Sequence, residues 1–113
     1  MAVTIWHNPR CSKSRETLQL LRDRGVEPVV RLYLQDPPSA GEIAKALKQL
    51  DIGAEGLVRR GEKAFGELGL AGRPDGELIA AMVKHPVLIE RPVVFGPKGA
   101  AIGRPPESVL KVL

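Results

Sequence analysis

A second cysteine is missing from this chain of 113 residues. Cys11 has no partner for an internal disulfide, so a reducing cytoplasm is the expected location. A Cys-x-x-Cys dithiol would need sulfur at position 14, where Ser14 stands. The protein therefore cannot cycle through its own disulfide, and an external thiol must resolve any adduct on Cys11. A phosphatase-type cysteine loop would need arginine at position 17, and Thr17 is there. No apolar run approaches the ~20 residues of a membrane span, and the start of the chain has no signal-peptide pattern, so no membrane partner is expected. Strong charge of one sign is lacking too: 17 basic against 13 acidic residues leave a net +4. That balance favours an anionic small substrate and is too mild to argue for nucleic acid. There is no internal repeat, low-complexity tract or linker, and no metal site is predicted. The length fits a single domain over residues 1–113, with one hydrophobic core and monomeric behaviour as the expectation.

What is present gathers around the one sulfur. Val3-Thr4-Ile5-Trp6 is a β-branched and aromatic run that reads as a buried strand, and Ser12 onward reads as a helix with Leu18 and Leu21 on one face. Cys11 falls at the handover, where unpaired N–H groups and the positive end of the helix dipole favour a thiolate. The dipole alone contributes ~0.3–1 kcal/mol, less than the ~1.4 kcal/mol of one pKa unit. Cationic neighbours must add to it, and His7, Arg10, Lys13 and Arg15 are nearest in sequence. A lone cysteine also reads as a small inert hydrophobe. On local grounds His7 reads as a satisfied strand-end histidine, Arg59 and Arg60 as solvated helix-end cations, and Arg104 as a loop residue. His85 reads as a helix end beside Pro86, and Asn8 and Ser14 as turn and capping groups.

The order of elements is β-α-β, inserted helices, then β-β-α. The first helix runs from about Ser12 to Gly25 and the second strand from Val29 to Leu34. Ser39-Ala40-Gly41-Glu42 is a capping box opening a helix with Ile43, Ala46, Leu47 and Leu50 at helical spacing. Short helices are predicted around Leu57-Val58 and Phe65 to Leu68, and a longer one from Asp75 to Lys84. Val87-Leu88-Ile89 and Val93-Val94-Phe95 form two apolar runs around Arg91-Pro92. A turn at Gly96-Pro97-Lys98-Gly99 then suggests a hairpin with Ala100-Ala101-Ile102. Arg104-Pro105-Pro106-Glu107 opens a last helix. A proline between apolar runs suits a cis bond at a strand start, or an ordinary trans proline on an edge strand.

His7-Asn8-Pro9-x-Cys11 with Ser14-Arg15, Leu32-Tyr33-Leu34, Asp36-Pro37-Pro38, Leu57-Val58-Arg59, Glu67-Leu68-Gly69-Leu70, His85-Pro86, Ile89-x-Arg91-Pro92 and Arg104-Pro105 occur here in order. Over nearly the whole chain this set resembles the glutaredoxin-linked arsenate reductases, in a short form. The resemblance implies an α/β, thioredoxin-like mixed sheet of about four strands, with a helical insertion between the β-α-β and β-β-α halves. It implies Cys11 as the nucleophile that attacks arsenate or a similar oxyanion, with His7 helping to lower its pKa. Arg59, Arg91 and Arg104 would bind the oxyanion, and Pro92 would be the cis-proline opposite the cysteine. Arg60 falls one position beyond the family arginine. No tightly bound cofactor is implied; glutathione would be the co-substrate and glutaredoxin the partner. Two other functions share such a fold: a regulatory module like the Spx-type proteins that bind RNA polymerase, and a monothiol oxidoreductase acting on glutathione adducts.

Overall fold

The computed structural model describes residues 2–113, which form two compact units. One comprises the chain up to Asp36 together with Arg91–Leu113, and the other is Pro37–Glu90. The first unit holds β1 (Thr4–Trp6), α1 (Ser12–Asp23), β2 (Val29–Arg31), β3 (Val93–Gly96), β4 (Gly99–Ile102) and a 3₁₀ helix over Pro106–Val112. Its sheet runs β2-β1-β3-β4, with β1 parallel to β2 and both other pairings antiparallel. This is the mixed four-stranded, thioredoxin-like sheet that the resemblance implies.

Strand alternation decides which side chains meet. Ile5 lies opposite Val94, and Val94 opposite Ala101, so the three share one face. They join Val3, Leu21 of α1, Val109 and Val112 in one buried cluster. The other face carries Trp6 and Phe95, whose ring centroids are 4.9 Å apart. Burying a side chain of the size of Ile5 or Leu21 is worth ~1.5–3 kcal/mol, so this cluster fixes α1 against the sheet. Helix α1 ends as its sequence requires. Val26 N–H donates to the Leu21 carbonyl and Gly25 N–H to that of Arg22, with Gly25 at φ 77°. That is a Schellman ending, in which glycine takes the left-handed position and Val26 folds back onto the core.

The insert holds α2 (Ala40–Leu50), a 3₁₀ turn over Ala54–Gly56, α3 (Lys63–Glu67), α4 (Asp75–Lys84) and a 3₁₀ turn over Pro86–Leu88. Both halves of the capping box form at α2: Glu42 N–H donates to Ser39 Oγ (3.1 Å), and Ser39 N–H to Glu42 Oε1 (2.9 Å). Ile43, Ala46 and Leu47 are buried on α2, as are Leu78 and Met82 on α4. No helix among the described residues is long and apolar enough to cross a membrane.

Three elements differ from expectation. Strand β2 stops at Arg31 because the Leu32 carbonyl accepts the N–H groups of Gln35 and Asp36, which turns the chain before Leu34. The apolar run before Arg91 is not a strand; Pro86–Leu88 is a 3₁₀ turn, and Val58 and Ile89 form only an isolated bridge. The last helix is 3₁₀ throughout. Pro106, Val109 and Val112 are its buried residues, and a spacing of three matches three residues per turn.

Two glycines admit close packing beside the hairpin. A Cβ on Gly96 would collide with the Val112 carbonyl, and one on Gly103 would lie 2.6 Å from Thr17 Oγ1 and 2.8 Å from Pro92 Cγ. Gly103→Ala is expected to cost ~1–3 kcal/mol in urea unfolding, and Gly96→Ala at least as much because backbone must move. Losses under ~0.5 kcal/mol for both would show that these contacts are slack.

Candidate active site

The loop that carries Cys11 is tied at nearly every residue. His7 N–H extends the β1–β2 pairing by donating to the Arg31 carbonyl (2.8 Å). Asn8 Oδ1 accepts Arg10 N–H (3.0 Å), while the Asn8 carbonyl accepts Cys11 N–H (3.0 Å), the turn chemistry for which asparagine is suited. Ser14 closes the loop from α1. Its hydroxyl accepts Asn8 N–H (3.0 Å) and lies 2.6 Å from His7 Nδ1. Ser14 is fully buried, and His7 nearly so. Cys11 is the N-cap residue of α1, extended at φ −94°, ψ 122°, and half-buried.

The sulfur makes no regular N-cap hydrogen bond; the N–H groups of Ser14 and Lys13 act on it as oriented dipoles. Burial pushes the Cys11 thiol up, and four attractions overcome it: Ser14 N–H, the charge of Arg91, Lys13 N–H and the side chain of Arg104. The net pKa lies below that of a free thiol. Arg104 Nη1 is 3.8 Å from Cys11 Sγ and 3.3 Å from the Arg91 carbonyl. Proximity in sequence pointed to Arg10, Lys13 and Arg15 as the cations acting on the thiol. The charges that act on it are instead those of Arg91 and Arg104, brought from the β3 entry and the loop after β4.

Both arginines precede prolines in cis linkage, Arg91–Pro92 and Arg104–Pro105. The first is the cis bond that the resemblance implies at Pro92; the second had no signal beyond the dipeptide itself. Gly103 N–H donates to the Pro92 carbonyl (2.9 Å), so the two arginine turns are fastened to each other beside Cys11.

His7 does not serve the sulfur as a positive charge. Burial lowers its pKa, and the charges of Arg22 and Arg15 lower it further, so the ring is neutral at neutral pH. Its Nδ1 meets the Ser14 hydroxyl, whereas the group of Ser14 that acts on Cys11 is the backbone N–H. Ser14 itself reads from sequence only as a capping group; its spacing of three from Cys11 was the available signal. Arg59 belongs to the insert, where its guanidinium lies 3.4 Å from Glu62 and 3.5 Å from the Val87 carbonyl. Arg60 is exposed and 3.8 Å from Glu55. Among the described residues no three His, Cys, Asp or Glu side chains gather as a metal-binding group.

The ArsC family matches residues 6–112. The chain belongs to the ArsC family. It is 44% identical over 113 residues to an Escherichia coli protein named arsenate reductase, covering 98% of this chain and 80% of that protein. It is 51% identical over 114 residues to the uncharacterised protein YfgD of Escherichia coli K12, covering 98% of this chain and 96% of that one. The solved structure of an arsenate reductase from Vibrio cholerae superposes with a TM-score of 0.96 at 46% identity, over 100% of this chain and 98% of the other. These likenesses span both units of the ArsC chain.

Alkylation of Cys11 by iodoacetamide across pH is expected to show a midpoint below the ~8.5 of a free cysteine, because a lowered pKa brings the thiolate in at lower pH. Arg104→Gln, which removes a side chain that acts on the sulfur, is expected to move that midpoint upward. A wild-type midpoint at or above the free-thiol value, or no movement in the variant, would mean that the site does not activate the sulfur in this way.

Proposed function

We propose that this ArsC-family protein is an arsenate reductase that uses Cys11 as nucleophile, glutathione as co-substrate and glutaredoxin as the terminal thiol. The contact of Arg104 with the Cys11 sulfur (3.8 Å) at a helix N-terminus is the observation that carries the reading. Relatives named arsenate reductase at 44% and 46% identity support the substrate. In this reading the protein acts as a cytoplasmic monomer, with residues 1–113 working as one domain and with no metal, tightly bound cofactor or nucleic acid.

The chemistry follows from charge. Arsenate and a thiolate repel each other, so permanent cations must offset the repulsion and hold the tetrahedral anion. Arginine does so with forked donors matched to oxyanion edges. Arg91 and Arg104 are assigned that part beside the sulfur, and Arg59 by the family resemblance. The Cys11 thiolate forms a bond to arsenic as an arsenic–oxygen bond breaks, and the displaced hydroxide takes a proton from solvent and leaves as water. Glutathione then replaces a second hydroxyl, again releasing water, to give arsenic(V) bonded to both sulfurs. The glutaredoxin thiol attacks the glutathione sulfur; the electron pair of the arsenic–sulfur bond stays on arsenic, which becomes arsenic(III), and a glutaredoxin–glutathione disulfide departs. Water cleaves the remaining arsenic–sulfur bond, releasing arsenite and Cys11. Arginine donors stabilise the charge that develops on oxygen as each group leaves.

Turnover is tested by oxidation of NADPH coupled through glutathione reductase, glutaredoxin and glutathione. Arsenate-dependent rates that vanish in Cys11→Ser are expected. Rates independent of arsenate but dependent on a glutathione-adduct substrate would favour the monothiol oxidoreductase, and capture by RNA polymerase would favour the regulatory module. Arg104→Lys keeps the charge and loses the fork. It is expected to lower kcat/KM at least ~10-fold, with unfolding free energy changed by no more than ~0.5 kcal/mol because the residue is exposed. Equal losses of activity and stability would make Arg104 structural.

A further inference from the structure

The loop and first helical turn around Cys11 carry three cations that the chemistry above does not use. Arg10, Lys13 and Arg15 are all exposed, and the first turn of α1 contains no acidic residue. Arg10 and Arg15 pair with no carboxylate among the described residues. The Arg15 guanidinium instead donates to the Pro9 carbonyl (2.9 Å), which holds it against the Cys11 loop. Lys13 faces Glu16 at 3.5 Å, with about half of each side chain exposed; such a surface pair holds little energy and is open to exchange. Of the other acids of the first unit, Glu27 is engaged by Arg22, Asp36 by Arg31, Asp23 accepts from Gln19, and Glu107 stands on the 3₁₀ helix over Pro106–Val112. Three exposed cations therefore stand on the loop and helical turn that carry the thiol, with Glu16 the one acid paired to any of them among the described residues.

We propose that Arg10, Lys13 and Arg15 form an anion-steering rim that selects the thiol co-reactant of Cys11, favouring a small thiol that bears carboxylates over neutral or cationic thiols. The proposal rests on the reading of Cys11 as a nucleophile resolved by an external thiol, and it assigns that thiol's recognition to residues other than Arg59, Arg91 and Arg104. Division of labour is the physical rationale. A tetrahedral oxyanion must sit within reach of the sulfur and of the arginines beside it, so those donors are occupied when the second anion arrives. A separate rim of solvated cations attracts that second anion without competing for the first. Three exposed charges on the loop and helical turn that carry Cys11 act before contact, raise the encounter rate, and fade as salt shortens the Debye length.

The rim is testable without arsenate, by thiol–disulfide exchange with aromatic disulfides of different charge. In each reaction the Cys11 thiolate attacks one sulfur, forms a mixed disulfide and releases one chromophoric thiolate. The probes are 5,5′-dithiobis(2-nitrobenzoate), which carries two negative charges, and neutral 4,4′-dithiodipyridine. Rates are taken on the high-pH plateau, where Cys11 is fully ionised and differences in pKa drop out, and each ratio is divided by that of free 2-mercaptoethanol. The corrected dianion-to-neutral ratio is expected to be at least ~10 at low salt and to fall toward 1 at ~0.5 M salt. Arg10→Gln is expected to lower it ~3-fold and Arg10→Glu ~10-fold, with the rate toward the neutral probe unchanged. That unchanged rate also reports that the variant is folded with its thiol accessible. A corrected ratio near 1 in the wild type, or one that Arg10→Glu leaves unmoved, overturns the proposal. A steered exchange in a protein that fails to turn over arsenate upholds the rim and removes arsenate as substrate, so the two failures are distinguishable.

Discussion

An ionised sulfur at the first turn of α1 is the condition on which the rest of this molecule's chemistry depends. Half-burial of Cys11 works against its charge, since moving a thiolate out of water raises its pKa. The fold answers with two kinds of positive potential. Backbone N–H groups of Lys13 and Ser14 supply fixed dipoles that cannot titrate, and the guanidiniums of Arg91 and Arg104 supply charge that stays on at any working pH. A histidine cation in the same position would be switched off by its own burial, which is the fate of His7. Keeping His7 neutral and joining it to Ser14 uses the ring as a strut.

That arrangement explains features of the fold remote from sulfur chemistry. Helix α1 must be held with its N-terminus at the end of β1, and the cluster of Leu21 with Ile5, Val94 and Val109 does so. The two arginines flank the β3–β4 hairpin in sequence and meet at its open end, where Val93 pairs with Ile102. Gly103 lets the strand exit lie against Pro92 and Thr17, and its N–H joins the two arginine turns. The hairpin is thus the device that converts a long separation in sequence into a contact of 3.8 Å.

Local signals in the sequence reach as far as local physics does. The strand of Thr4–Trp6, the capping box at Ser39, the helix at Asp75–Lys84 and the Gly25 ending are set by neighbours within a few residues, and they are legible. The end of β2 depends on the Leu32 carbonyl accepting Gln35 and Asp36, a turn that its apolar composition conceals. The terminal 3₁₀ helix was hidden for a different reason: its apolar residues fit both periods until packing against the sheet selects a spacing of three. The cations acting on Cys11 were the least legible, because proximity in sequence names Arg10, Lys13 and Arg15, whereas the fold delivers Arg91 and Arg104. Only the family resemblance named that pair in advance.

The most direct measurement of the central claim is an ultraviolet titration of the Cys11 thiolate, with Cys11→Ser as blank, in the wild type and in an Arg91→Gln/Arg104→Gln double variant. The account predicts a wild-type midpoint below that of free cysteine and a clear rise when both guanidiniums are removed. Coincident midpoints in the two proteins would contradict it, because the sulfur would then owe its ionisation to something other than the arginines that the hairpin brings to it.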